Sequence, residues 1–119
     1  MDLNIVVISG RLASKPETRT LDGGSTLIRY LMIARTEEPR RRTDVVPAVQ
    51  WNPPEWTADL VRGDGLWLAG AVQRRFWSDD QNRPGRIEVL AHHVQRRPDD
   101  ADADLQASVL EMVEGVAGV

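Results

Sequence analysis

Short apolar runs, punctuated by proline and glycine, organise the 119-residue chain. Leu3 to Leu12 is nearly continuous in apolar residues, interrupted by Ser9 and closed by Gly10-Arg11. That composition predicts a strand buried on both faces for part of its length. Ala13 to Ser25 reads as a loop, because Pro16 and the Asp22-Gly23-Gly24 turn signal fall inside it. A second strand is expected over Leu27–Arg35, then a polar connection over Glu37–Thr43. Asp44–Trp51 reads as a third strand, where Pro47 demands an edge position or a bulge. Asn52 as N-cap, Pro53 at the first helical position and Glu55 in the first turn predict a short helix over Pro53–Val61, with Gly63 near its C-terminal end. Leu66–Trp77 and Ile87–Gln95 complete the series as fourth and fifth strands, joined by a polar loop over Ser78–Gly85.

Strand, strand, strand, helix, strand, strand is the order of the five-stranded, partly open OB-fold barrel. The expected fold is therefore all-β, a five-stranded OB-fold barrel with one short helix between the third and fourth strands. This domain covers residues 1–98. Residues 99–119 form a separate acidic tail, in which Leu105, Val109, Met112 and Val116 recur at helical spacing. A short amphipathic helix over Ala103–Val116 and an unstructured terminus are both open readings of that tail.

Charge sharpens the division. The overall net charge is −3, yet all 15 basic residues lie at or before Arg97. Residues 1–98 carry 12 acidic groups against those 15, whereas residues 99–119 carry six acidic groups and no basic one. A basic body with an acidic tail suits nucleic-acid binding, and equally suits an ordinary domain with a solubilising tail. There is no cysteine, so neither a disulfide framework nor a thiolate metal site is expected. The start lacks a basic and then apolar leader, and no apolar run approaches the ~20 residues that span a bilayer. The expectation is a cytoplasmic protein with no membrane partner.

Catalytic signals are absent. His92 and His93 are adjacent, so in a regular strand they point to opposite faces and cannot share a metal. No phosphate-binding-loop, nucleophile-elbow or zinc-protease motif appears, so no enzyme and no cofactor is expected. The positive signal is tryptophan interleaved with arginine. On the fourth strand Trp67, Ala69, Ala71, Gln73, Arg75 and Trp77 share one face, and Arg74 belongs to the other. A cation beside a flat ring can hold a phosphate and stack a base. Trp67 reads either as core or as part of the Trp77 platform, and Trp56 as a helix-to-barrel packing residue. Arg40, Arg41, Arg42, Arg74, Arg75, Arg83 and Arg86 fall in or beside the connections that flank an OB-fold's binding face.

Several pieces, in order, resemble the bacterial single-stranded DNA-binding protein family. They are Asn4–Leu12, Pro16–Thr20, Asp22–Gly24, Leu31–Ala34, Arg62–Gly65, Gly70–Trp77 and Ile87–Ala91. The resemblance implies an OB-fold that pairs through its first strand, assembles as a homotetramer and wraps single-stranded DNA without sequence preference. It places stacking aromatics at Trp51 and Trp77, and basic contacts at Arg62, Arg75 and Arg19. The chain also departs from the family pattern. Val45 stands where a tryptophan is common, an aromatic is missing near Pro39, and Pro47, Pro53 and Gln73 replace common basic positions. The family's acidic Asp-Asp-Ile-Pro-Phe-like tip, which recruits replication and repair proteins, has Asp99–Val119 in its place. These departures suggest an accessory paralogue. They also suggest an alternative: an OB-fold interaction module of the primosome-accessory type, dimeric and only weakly DNA-binding.

Overall fold

The computed structural model describes residues 1–75 and 85–98. It contains six strands: β1 (Val6–Leu12), β2 (Glu17–Thr20), β3 (Thr26–Thr36), β4 (Arg42–Trp51), β5 (Gly65–Arg75) and β6 (Arg86–Arg96). Their order is β1-β5-β6-β4-β3-β2, and a further β1–β3 pairing closes five of them into a barrel. All neighbours are antiparallel except β4 and β6, which run parallel through Ala48↔Val89 and Val49↔Leu90. The closed five-strand barrel agrees with the expected OB-fold.

Closure depends on β1 changing partners. Val6 to Arg11 pair with β5, and Arg11 and Leu12 then pair with β3. The switch occurs at Arg11, and at Gly10 just before it a Cβ would collide with the backbone carbonyl of Ile33. Gly70 has the same role against Leu90 at the bulge of β5 and β6. There the register passes from Gly70↔Ala91 to Ala69↔His93, so His92 is the extra residue. As a result Ala91 and Val94 are buried and both histidines between them are exposed. The regular alternation expected for His92 and His93 does not hold across a bulge.

The barrel is filled from the inward side of each strand. Met32, Leu60, Leu66 and Leu68 are completely buried, and the partly buried Trp56 packs against this cluster. Tyr30 sits in this core with its hydroxyl donating to Gln50 Oε1 at 2.9 Å. Burial pushes the Tyr30 phenol well above its ordinary range, and a hydrogen bond with Thr57 partly offsets the rise.

Five expectations are corrected. The first strand begins at Val6, not Leu3, and most of it is only half-buried. Asn4 lies outside the strand, and its side chain both donates to Val72 O (2.7 Å) and accepts from Val72 N–H (2.9 Å). The predicted loop over Ala13–Ser25 contains β2, which pairs Glu17–Thr20 with Arg29–Thr26. The predicted helix is a five-residue 3-10 turn, Glu55–Asp59. Asn52 does not cap it: with φ at 49°, Asn52 donates its N–H to Thr26 O (2.7 Å) and accepts from Thr26 N–H (3.1 Å). Both Pro53 and Pro54 precede the turn, and Leu60 is already extended at its other end, so Glu55–Asp59 holds a single tight turn. Gly63 does adopt positive φ, but in the tight turn before β5 and not as a helix cap.

Candidate nucleic-acid interface

The outer face of β3 and β4 is set by the alternation that fills the barrel. Ile28, Tyr30 and Met32 point inward, so Leu27, Arg29 and Leu31 point outward. Across from them on β4 stand Trp51, Val49 and Pro47. On the other side, β2 places Glu17 opposite Arg29 and Arg19 opposite Leu27. The Asn52–Thr26 bonds clamp the end of β4 to the start of β3 and so fix the backbone that carries Trp51. The indole is 45% exposed.

These residues border an open groove of about 430 Å³. It is lined by Glu17, Thr18, Arg19 and Leu21, by Leu27 and Arg29, by Trp51, and by Arg75 from β5. Three guanidinium groups thus share one concavity with an accessible tryptophan face. Among the described residues, Arg75 is the one of the three that forms an ion pair, its Nε lying 3.4 Å from Glu88 Oε1. Glu88 is 3% exposed and also accepts a hydrogen bond from Gln73 Nε2 at 2.9 Å.

The residues expected from the sequence fall in different places. Trp51, Arg19 and Arg75 converge on the groove. Arg62 does not: it lines a second cavity of about 520 Å³ with Arg11, Asp64, Arg96 and Arg97. That cavity is held together by Arg11 Nη1 donating to Gly63 O (2.9 Å), Arg97 Nη1 donating to Ser9 Oγ (3.0 Å) and Arg96 over the Trp56 ring at 5.4 Å. Arg74 leaves β5 on the face opposite Arg75 and packs its stem against Gly85. Of the two readings of Trp67, its burial favours the core. Trp67 lies between Ser9 and Gln95 on the neighbouring strands and is only 5% exposed, so its ring has no free face for a base. Trp56 packs against the core as expected. Trp77 lies outside the described residues.

Arg29 and Glu88 carry weight that the sequence reading did not give them. Arg29 was legible as a lone charge on the outward side of an apolar strand. Glu88 was not, because its partners depend on the β5–β6 register. Among the described residues, no group of three or more histidine, cysteine, aspartate or glutamate side chains is placed to hold a metal ion. No helix among them is long and apolar enough to cross a membrane.

A five-stranded OB-type barrel bearing an aromatic, arginine-lined groove on its outer face is a class of fold shared by many proteins. Comparison with known proteins narrows it. No family model matches the chain. A single-stranded DNA-binding protein of Thermus thermophilus is 31% identical over 94 residues, which cover 74% of this chain and 36% of the relative. Single-stranded DNA-binding protein 2 of Listeria innocua is 31% identical over 100 residues, covering 78% of this chain and 63% of the relative. A crystal structure of a deletion mutant of the Thermus aquaticus single-stranded DNA-binding protein superposes with a TM-score of 0.65 at 26% identity, covering 82% of this chain and 42% of that one. The wild-type Thermus aquaticus protein, at 20% identity, shares the fold with a TM-score of 0.71 over 83% of this chain and 52% of its own. The chain belongs to the single-stranded DNA-binding protein family. It spans about a third of the length of the Thermus relatives it matches.

Proposed function

We propose that residues 1–98 bind single-stranded DNA without sequence preference, by stacking bases on tryptophan and pairing phosphates with arginine. The observation that carries this reading is the groove in which Trp51 stands among Arg19, Arg29 and Arg75. Its position on the outer face of β3 and β4 supports it, because OB-folds hold oligonucleotides on that strand pair. Stacking tolerates any base and contributes ~1–3 kcal/mol for each one. Trp77 is the second stacking platform in this proposal, and Arg62 and Arg74 supply phosphate contacts outside the groove. The protein acts as a homo-oligomer, a tetramer in preference to a dimer, in replication, recombination or repair.

The test is anisotropy of a labelled oligo-dT with competition by unlabelled duplex. Tight binding to the single strand that duplex displaces poorly is expected, and equal competition by duplex would reject the proposal. The salt dependence checks the phosphate contacts. With a slope of about −0.7 per phosphate neutralised, the three groove arginines correspond to about −2 in log K against log salt.

One observation favours a second reading, a protein-docking module of the primosome-accessory type. Leu31 and Val45, both more than a third exposed, extend the outer face of β3 and β4 with aliphatic side chains beyond the aromatic end. A stable dimer by mass measurement together with weak DNA binding supports the docking module, and a tetramer with tight binding supports the first reading.

A further inference from the structure

Glu88 combines three properties that are seldom found together without a purpose. It is a carboxylate with almost no exposure, it has a cationic partner, and that partner lines the groove. Gln73 and Arg75 leave β5 two residues apart and therefore on the same face, and Glu88 stands directly opposite Gln73 on β6. A single oxygen, Oε1, accepts from Gln73 Nε2 at 2.9 Å and faces Arg75 Nε at 3.4 Å. A buried carboxylate is expensive without a counter-charge, so Arg75 is held where Glu88 needs it. The closest approach is at Nε, the inner nitrogen of the guanidinium, which leaves its outer edge for the groove.

We propose that Glu88 is a positioning residue for Arg75: it fixes the guanidinium by its Nε side and so presents the terminal nitrogens to a phosphate in the groove. Gln73 completes the device by orienting the carboxylate. The proposal rests on the reading of the groove as a single-stranded DNA site, and it concerns how Arg75 acts there. A loose arginine must order its side chain on binding, whereas a held one has already done so. The cost is that Glu88 also lowers the attraction of Arg75 for phosphate.

The two effects separate by substitution. Glu88→Gln keeps an oxygen acceptor in place and removes the charge. Glu88→Ala removes both. Oligo-dT affinity is measured for each, with and without Arg75→Ala, and thermal melting confirms that each variant is folded. Glu88→Gln is expected to bind about threefold tighter than wild type, the size of one partly screened charge. Glu88→Ala is expected to bind about tenfold weaker than Glu88→Gln, on the scale of ordering one long side chain that is no longer held in place. In the Arg75→Ala background both substitutions become nearly silent in binding. Equal affinities for Glu88→Gln and Glu88→Ala would overturn the proposal, as would an undiminished Glu88→Ala effect in the Arg75→Ala background. Trp51→Ala is the control for the parent reading. If wild type binds and Trp51→Ala weakens it, a flat Glu88 series refutes only the positioning role. If wild type does not bind oligo-dT at all, the reading of the groove itself is wrong.

Discussion

Removing the indole of Trp51 should separate stacking from charge. Trp51 closes β4 with 45% of its surface exposed, and its neighbour across the ladder, Leu27, is 4% exposed. The ring therefore has two jobs, covering Leu27 and offering a face to the groove. Trp51→Ala removes a stacking platform of ~1–3 kcal/mol, a loss of about 5- to 150-fold in affinity for oligo-dT. The covered half of the ring amounts to about 100 Å² of apolar surface, so the fold loses at most ~2.5 kcal/mol. Binding is thus assayed well below the melting temperature of the variant. Trp51→Phe keeps a flat ring and is expected to recover most of the loss. The salt dependence supplies a second, independent axis. Trp51 is neutral, so its removal leaves the slope of log K against log salt unchanged, whereas Arg19→Ala or Arg29→Ala each flatten it by about 0.7. A folded Trp51→Ala variant with wild-type affinity would refute the stacking argument. A changed salt slope in that variant would show that the groove had been disrupted and not merely stripped of one ring.

Further outcomes follow from the packing. Trp56→Ala should lower the melting temperature while leaving oligo-dT affinity nearly unchanged, since its ring packs against the core and lies under Arg96; Trp77→Ala, by the proposed stacking role, should weaken oligo-dT binding by about 5-fold or more. Gly70→Ala places a methyl group against the Leu90 carbonyl and should destabilise the barrel by several kcal/mol, about 3 or more, as read by denaturant titration. Tyr30→Phe leaves the buried Gln50 oxygen without its donor, at a cost of ~1–3 kcal/mol. Because burial raises the Tyr30 pKa in the folded state, its stabilising contribution is fully present below the unfolded value of about 10. It is lost as pH climbs from there toward the folded value, so melting temperatures from pH 8 to 11 should fall less steeply for Tyr30→Phe than for wild type.

Most of the barrel is visible in the alternation of apolar and polar residues, because each of its long strands has one face that must be buried. β2 escaped for the opposite reason. All four residues of Glu17–Thr20 are exposed, so no buried face imposes a pattern, and Pro16 and the Asp-Gly-Gly turn obscure the rest. Asn52 misled because its side chain can serve a helix start or a strand end equally well, and the choice between them is made by Thr26, 26 residues away. Trp67 shows a limit of periodicity: alternation assigns a face but does not say what covers it. The histidine pair shows another, since one extra residue in β6 cancels the rule that would separate them. Within the groove, Trp51, Arg19 and Arg75 were legible as residue types at recognisable positions. The Glu88 contact was not, because it exists only once Gln73 and Glu88 are brought opposite each other in register.

The most direct test of the central claim is a titration of the intact chain with unlabelled oligo-dT at low salt, following its own tryptophan fluorescence. Trp56 and Trp67 are packed into the fold, which leaves Trp51 and, by proposal, Trp77 to report on bases. Saturable quenching is expected, with an amplitude that drops in Trp51→Phe and a midpoint that moves to higher DNA concentration as salt is raised. A signal that stays flat at low salt across the whole titration would contradict it.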